Sequence, residues 1–385
     1  MNELVGETEP IECQNPVVTA LKRIGKDLIS MLDWIFGFLV ILVGLAFLAV
    51  IPILNFLSLG YLLQASGKVA ITGRLRDGFP GIRKASVMGS IVLGIWLVFW
   101  PVRFVSGLWK DAEIVASGSV VAGRWRVALI SLTIFTVWHV IWSCFRGGKL
   151  RHFLRPAPIA FLRRMRSLGK PLPGMDSIVD FFFSLRLVHY FWLGLRGFVG
   201  GIVWLSIPVG LLIVASRLPP GGAALLSLFG GLVLMVVVLY LPFLQTQFAA
   251  TGKFDSLFDI RQIRRMFTQA PLAFLIALLV TLLFAVPLYL LKIELTPKEV
   301  AWLPSLMFVV FIYPARLLTG WAMSRACRRE DPRHFITRWF GRLAMIPVAF
   351  FYVLIAYLTQ YLSWYGSLSL LEQHAFMVPA PLMSL

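Results

Sequence analysis

Hydrophobic and polar positions alternate in long blocks along this chain. After residue 85, seven apolar runs of similar length are separated by short polar segments. They cover residues 89–105, 125–144, 197–215, 224–243, 271–291, 302–321 and 343–362. A helix of about 20 mostly apolar residues crosses the hydrocarbon core of a bilayer, which is about 30 Å thick. The pattern therefore predicts an all-α fold, a polytopic integral membrane helical bundle.

An eighth apolar run, Ile35–Leu63, is too long for one untilted crossing and contains Pro52. Proline removes a backbone donor and breaks or kinks a helix. Two alternatives follow: one tilted span continued by an interfacial helix, or two short arms that form a re-entrant hairpin. Basic residues flank both ends of the run, at 22–26 and 68–76, which favours the hairpin. The bundle thus has eight spans, or nine if Pro52 splits the first.

Composition supports a membrane location. Of the 385 residues, 59% are hydrophobic and only 14% are charged, whereas about a quarter of the residues of a soluble domain are charged. The net charge of +18 raises the question of nucleic acid. Lysine and arginine beside membrane spans are, however, retained on the cytoplasmic side of the membrane. We therefore predict no nucleic-acid partner.

Basic residues are concentrated in alternate loops between the apolar runs. The loops at 64–88, 145–188, 249–270 and 322–342 hold 24 Lys and Arg residues, against 5 in the loops at 106–124, 217–223 and 292–302. This excess predicts that the four rich loops are cytoplasmic in a multi-pass protein of the cell (inner) membrane. The loops belong to one transmembrane domain, 17–363. A disordered acidic N-terminus, 1–16, precedes it, and a C-terminal tail, 364–385, follows.

A short pattern recurs where three of the apolar runs end. A glycine turns the chain, one or two cations follow, and a phenylalanine opens a basic helix. We call these segments the first elbow (residues 72–81), the second elbow (148–153) and the third elbow (251–258). In the helix after the third elbow, Ile260, Ile263 and Phe267 recur at helical spacing beside arginines. This predicts interfacial amphipathic helices whose apolar side enters the acyl boundary while the cations meet phosphates.

The elbows supply the main set of candidate site residues. Cations in and beside them are candidate contacts for anionic lipid headgroups or for a protein partner. They are Arg74, Arg76, Arg83, Lys84, Lys149, Arg151, Arg163, Arg164, Arg166, Lys253, Arg261, Arg264 and Arg265. A simpler interpretation is that the elbows only fix the topology. A second copy of the chain is a further candidate partner.

One cation, Arg316, lies deep in a predicted span, two residues after Pro314. Charged groups at this depth are costly and are commonly functional. Either Arg316 bonds carbonyls that Pro314 leaves free, or it makes an intramembrane contact with an anion or a lipid phosphate. No Asp or Glu lies within any predicted span. Because coupled carriers usually bury a carboxylate in their path, this absence disfavours such a carrier.

The chain offers little that resembles a catalytic or metal site. Two carboxylate pairs stand at i, i+4 spacing, Asp176 with Asp180 and Asp255 with Asp259. Such a pair can act as acid and base, but Asp176 and Asp255 more simply cap helices while their partners offset nearby arginines. Histidines and cysteines are scattered singly. We predict no enzyme activity, no catalytic residue, no metal and no cofactor.

Glycines recur at close helical spacing before and within the run at 197–215, at Gly194, Gly197 and Gly201. Small residues allow membrane helices to approach closely. An internal helix contact is favoured over a dimer seam.

Two neighbouring segments resemble known families. They are Pro52–Leu63, which contains Gly60-Tyr61-Leu62-Leu63, and the elbow after it. They resemble uncharacterised prokaryotic membrane-protein families, classed as domains of unknown function, in which broken hairpins alternate with cytoplasmic amphipathic helices. The resemblance is clearest over residues 35–105 and fainter over 225–291. It implies an all-helical polytopic fold and brings no catalytic residue.

Together these patterns favour a non-enzymatic membrane protein that organises the membrane or interacts with lipid or a partner through a basic cytoplasmic face. The alternative is a transporter or channel for a small or anionic solute.

Overall fold

The computed structural model describes residues 16–156, 183–286 and 302–361, together with 366 and 370. This part of the chain is helical and contains no strand, so the predicted all-α class is confirmed. The helices are α1 (Pro16–Val50), α2 (Asn55–Thr72), α3 (Ile82–Val115), α4 (Val120–Phe145), α5 (Leu150–Leu154), α6 (Leu187–Ala215), α7 (Pro220–Thr251), α8 (Ile260–Gln269), α9 (Pro271–Leu283), α10 (Trp302–Cys327) and α11 (Phe335–Thr359). Short 3₁₀ helices cover Leu75–Gly78 and Phe254–Phe258.

Seven of these helices are long and apolar enough to cross a membrane. They are α1, α3, α4, α6, α7, α10 and α11. Helices α8 and α9 meet at an angle of 114°. If this bent pair forms a single broken span, the number of candidate spans rises to eight. The apolar runs predicted after residue 85 lie on α3, α4, α6, α7, α9, α10 and α11, although residues 287–291 and 362 fall outside the described part of the chain.

The described residues form two compact units. The first contains residues 16–40 and 82–156, and the second contains 41–81, 183–286 and 302–361. In the first unit α3, α4 and α5 pack against one another. In the second, α2 packs against α6, α7 and α10, while α9 packs against α10 and α11.

The apolar run 35–63 is divided near Pro52. Helix α1 ends at Val50 and α2 begins at Asn55, and Ile53 between them adopts a left-handed φ of 71°. A β-branched residue rarely adopts this conformation, so the break is sharply defined. Helix α2 is enclosed by other helices, so it is not an interfacial helix. Helix α1 has 35 residues, and the apolar run occupies only its C-terminal part, residues 35–50, so the re-entrant hairpin stays a prediction.

Two glycines allow α2 and α6 to cross with their backbones in contact. A Cβ built on Gly60 would overlap the carbonyl oxygen of Tyr190 and lie 2.9 Å from the amide nitrogen of Gly194. A Cβ built on Gly194 would overlap the carbonyl oxygen of Phe56. Gly194, one of the glycines predicted for close helix approach, therefore lies at an internal contact, in agreement with the favoured interpretation.

The C-terminal ends of α2, α7 and α10 lie together at one end of the second unit. A Cβ on Gly67 of α2 would lie 2.7 Å from the carbonyl oxygen of Ala249 on α7. A Cβ on Gly320 of α10 would lie 3.0 Å from the Cβ of Val69 on α2. Because the C-terminus of a helix carries a partial negative charge, this end favours the cations that follow α2 and α7.

Candidate functional site

The three elbows share one backbone form. Their glycines, Gly73, Gly148 and Gly252, have φ values of 70°, 63° and 71°. The next residue of each elbow is an extended cation, Arg74, Lys149 or Lys253. A short helical turn follows in all three. Because glycine adopts left-handed φ at little cost and commonly ends helices in this way, the repeat seen in the sequence is also a structural repeat.

A threonine completes the turn in the first and third elbows. The Thr72 hydroxyl donates to the carbonyl four residues earlier at 3.0 Å and accepts from the amide of Arg74 at 3.3 Å. Thr251 makes the same pair of bonds, at 3.0 Å to the earlier carbonyl and 3.4 Å from the amide of Lys253. The phenylalanines, in contrast, do not open the following basic helices as predicted. Phe79 precedes the start of α3 at Ile82, and Phe153 lies inside α5.

The first elbow is held by two tyrosines of the second unit. The Tyr313 hydroxyl donates to the carbonyl of Gly78 at 2.8 Å, and the Tyr61 hydroxyl donates to the carbonyl of Pro80 at 3.1 Å. The ring of Phe79 stacks on Tyr313 with their centroids 5.3 Å apart. Gly78 and Pro80 are buried. The elbow is therefore packed into the unit between α2 and α10.

A tryptophan holds the third elbow. The Trp204 indole nitrogen on α6 donates to the carbonyl of Leu257 at 3.0 Å. The Leu257 side chain is fully buried, and a Cβ built on Gly200 would lie 2.5 Å from its Cδ1 atom. Trp204 and Gly200 lie one helical turn apart, so this elbow packs against a single face of α6.

The second elbow is held in the same manner within the first unit. Nε2 of His139 on α4 lies 2.8 Å from the carbonyl oxygen of Phe153, and the Ser143 hydroxyl donates to the carbonyl of His152 at 3.0 Å. Phe153 is 2% exposed and packs over Gly94 of α3. All three elbows are thus docked by side-chain bonds to their carbonyls, a feature that no local sequence pattern reveals.

Replacing Trp204 with phenylalanine should loosen the third elbow. The ring stacked on Phe258 at 6.0 Å is kept, but the bond to the Leu257 carbonyl is lost, at a cost of about 1 kcal/mol. Amide hydrogen exchange of residues 253–259 should then accelerate by about fivefold. Trp192→Phe on the exposed side of α6 is the control. Unchanged exchange in the Trp204 variant would contradict the role of this bond.

The helix after the third elbow, α8, packs its apolar side on protein. Ile263 is 2% exposed, and α8 contacts α7 and α10. The prediction that this apolar side enters the acyl boundary is therefore wrong for Ile263, because neighbouring helices already cover it. Asp259 caps α8 by accepting from the amide of Gln262 at 3.0 Å. The cap is thus Asp259, whereas the prediction assigned this role to Asp255.

Most of the candidate cations lie on the surface of their unit. The exposed ones are Arg74, Arg76, Arg83, Lys149, Arg151, Lys253, Arg261, Arg264 and Arg265, and Lys84 is half-buried. Arg83, Lys84, Lys149 and Arg151 belong to the first unit. Arg163, Arg164, Arg166 and the pair Asp176 and Asp180 lie outside the described residues.

The loop at 322–342 also contacts the first elbow and α8, which was not predicted from the sequence. Nη2 of Arg328 donates to the carbonyl of Thr72 at 2.9 Å, and the amide of Arg333 donates to the carbonyl of Thr268 on α8 at 2.9 Å. This loop has no glycine elbow, so only its high count of basic residues signalled it. We call the two elbows, α8 and this loop the basic end of the second unit.

Arg316 lies inside the second unit and contacts a glutamine. It is 3% exposed, and its Nη2 donates to Oε1 of Gln245 on α7 at 2.7 Å. Gln245 is fully buried, and its Nε2 donates to the carbonyl of Gly197 at 3.4 Å. Nearby, the hydroxyls of Thr246 and Thr319 are 3.0 Å apart. A polar network thus joins α6, α7 and α10, and its glutamine partner was not predicted.

No carboxylate occurs in the sequence of α2, α6, α7 or α10, which surround this network. Among the described residues, no group of three or more His, Cys, Asp or Glu side chains is suited to hold a metal ion. A cleft of about 300 Å³ between α9 and α11 is lined by apolar and aromatic side chains, among them Leu282, Val286 and Phe351. It offers a polar solute little to bind.

Comparison with known proteins gives a family match to part of the chain. Residues 170–295 match the family described as Protein of unknown function (DUF4013). The resemblance to an uncharacterised family is thereby confirmed. The DUF4013 match includes the stretch 225–291 but not 35–105. Its described part contains α6, α7, the third elbow, α8 and α9. No curated protein matches the chain, and no solved structure matches it.

Proposed function

We propose that the chain is a non-enzymatic multi-pass membrane protein that binds anionic lipid headgroups through the basic end of its second unit. The observation that carries this proposal is the arrangement of α8. On its apolar side Ile263 is buried on protein and Ile260 and Phe267 are half-buried, while Arg261, Arg264 and Arg265 are exposed. The arginines are therefore free of any role in packing the apolar side of the helix.

The angle between α8 and α9 supports a location at the membrane surface. The two helices meet at 114°, so α8 runs along the bilayer plane if α9 enters the hydrocarbon. The start of α11, which packs beside α9, exposes Trp339 and Phe340. Aromatic residues of this kind, tryptophan above all, are enriched where helices cross the headgroup region. Arginines and aromatic rings at one level favour a lipid surface over an acidic protein.

The excess of basic residues in alternate loops supports a cytoplasmic orientation for this end, in the cell membrane. The inner leaflet carries a negative surface potential, and each cation near it contributes about 1 kcal/mol of attraction. The basic end then fixes the orientation of the chain and gathers anionic lipids around it.

The test compares two variants with equal net charge. The first is Arg261→Gln with Arg265→Gln on α8, and the control is Arg124→Gln with Arg217→Gln, two exposed arginines in the basic-poor loops. Binding of phosphatidylglycerol and phosphatidylcholine to the full chain in detergent is followed by native mass spectrometry. We expect phosphatidylglycerol affinity to fall by about 2 kcal/mol in the α8 variant and to stay unchanged in the control.

Equal losses in both variants would mean that only net charge matters and would contradict the proposal. Unchanged lipid affinity in the α8 variant would contradict it as well, and would favour an acidic protein as the partner of this surface.

The buried network of Arg316 favours one alternative function, the passage of a small anion. A buried guanidinium group in a membrane-spanning helix is costly and is commonly functional. The test is flux of chloride, nitrate and phosphate into liposomes that contain the chain. Flux above that of empty liposomes, lost in Arg316→Leu, would support this alternative, and flux equal to that of empty liposomes would exclude it for these anions.

A further inference from the structure

Helix α8 and the start of α11 meet at a junction in the basic end. The amide of Arg333 donates to the carbonyl of Thr268 at 2.9 Å. A Cβ built on Gly341 would lie 3.3 Å from the Cζ atom of Phe267. The guanidinium carbon of Arg342 lies over the ring of Phe267, 5.9 Å from its centroid. These contacts hold the two helices close together with a defined geometry.

Three arginines lie on the two helices beside this junction. Arg338 and Arg342 are four residues apart on α11 and so share one face of it. Arg264 is one helical turn before Phe267 and Thr268 on α8 and so shares a face of the helix with them. We call Arg264, Arg338 and Arg342 the arginine junction.

Among the described residues, the three arginines of the junction have no acidic partner. Within the described residues, no ion pair engages any of these three side chains. The Nε atom of Arg338 is shielded from solvent and has no hydrogen-bond partner. Like charges four residues apart on one helix face, such as those of Arg338 and Arg342, repel one another, and a buried donor without a partner costs about 1–3 kcal/mol. A bound anion relieves both costs.

We infer that the arginine junction binds the phosphate group of one anionic phospholipid. This inference rests on the proposed function, because that function sets the junction at the membrane surface. Arginine presents a planar fork that pairs with two oxygens of a phosphate. The neighbouring rings of Phe335, Trp339 and Phe340 are 60%, 45% and 59% exposed, and they suit the interfacial part of the same lipid layer.

Native mass spectrometry of the detergent-solubilised full chain tests the site. The probes are dioleoyl phosphatidylglycerol, dioleoyl phosphatidylcholine and inorganic phosphate. We expect one saturable phosphatidylglycerol site of higher affinity than the rest. Arg338→Gln with Arg342→Gln should weaken this site about tenfold, which is about 1.4 kcal/mol. Arg217→Gln, at an exposed position in a basic-poor loop, is the control and should leave the site intact.

The conservative variant Arg338→Lys separates the fork from the charge. It keeps the cation and should recover only part of the affinity, because lysine cannot pair with two phosphate oxygens at once. Full recovery would contradict a bidentate site. Inorganic phosphate that binds as tightly as the lipid would overturn the assignment to a phospholipid.

The outcomes separate this inference from the proposed function. If the junction variant keeps the high-affinity site while Arg261→Gln with Arg265→Gln lowers phosphatidylglycerol binding, the site is overturned and the broader function stands. If no variant alters phosphatidylglycerol binding, both are overturned. The melting temperature of each variant is measured as well, to distinguish a loss of binding from unfolding.

Discussion

Replacing Gly194 with alanine should destabilise the second unit by about 3 kcal/mol. The added Cβ would overlap the carbonyl oxygen of Phe56 and lie 2.9 Å from the amide nitrogen of Gly60. These are backbone atoms of α2, which cannot move aside as a flexible side chain does. The two helices must then separate, and the contacts of Leu59, Leu63 and Leu193 in the same core are lost with them.

Gly210→Ala on the same helix is the matched control. A Cβ at Gly210 meets no atom within 4 Å, and alanine stabilises a helix by about 1 kcal/mol relative to glycine. The two substitutions should therefore change the melting temperature of the detergent-solubilised chain in opposite directions. A Gly194 variant as stable as the Gly210 variant would contradict the close crossing of α2 and α6.

Arg316→Leu should destabilise the chain by about 1–3 kcal/mol, because it leaves the buried Oε1 of Gln245 without the bond that Arg316 supplies at 2.7 Å. Replacing both partners with apolar residues removes the orphaned group as well as the guanidinium. The double variant Arg316→Leu with Gln245→Leu should therefore recover most of the loss.

Unfolding in increasing denaturing detergent gives the free energies for this cycle. Gln245→Leu alone should also be destabilising, since it leaves the guanidinium of Arg316 without its glutamine acceptor. Additive losses in the double variant would mean that the two side chains are not energetically coupled. That result would contradict a structural role for their hydrogen bond.

The membrane helices were predictable because the bilayer imposes one length on every span. Runs such as 125–144 and 224–243 fall within α4 and α7 without any need for tertiary information. The internal role of Gly194 also followed from spacing, since small residues at close helical intervals have few other uses in lipid.

The interior of the second unit was less predictable. Helix α2 carries Asn55, Gln64 and Lys68. Because of these polar residues, the sequence does not predict that α2 is buried by helices that are distant in the chain. Gln245 as the partner of Arg316 required the packing of α7 on α10. Hydropathy predicts whether a helix can lie in lipid, but it does not predict which helix packs against it.

The three elbows illustrate the same limit. Their glycine and cation are local signals and were recognised, whereas Tyr313, Trp204 and His139 hold them from distant positions in the chain. The arginines at 338 and 342 were missed because no glycine turn precedes them. Their connection with α8 exists only after the chain has folded.

The enclosure of α2 has a consequence for biogenesis. The helix is synthesised before α6, α7 and α10, and within the part of the chain that the structure describes these three later helices make most of the helix contacts that cover it. It is also less apolar than the seven helices suited to cross a bilayer unaided, so it has little tendency to enter lipid by itself. We therefore expect α2 to reach its final packing only after α6, α7 and α10 have been synthesised.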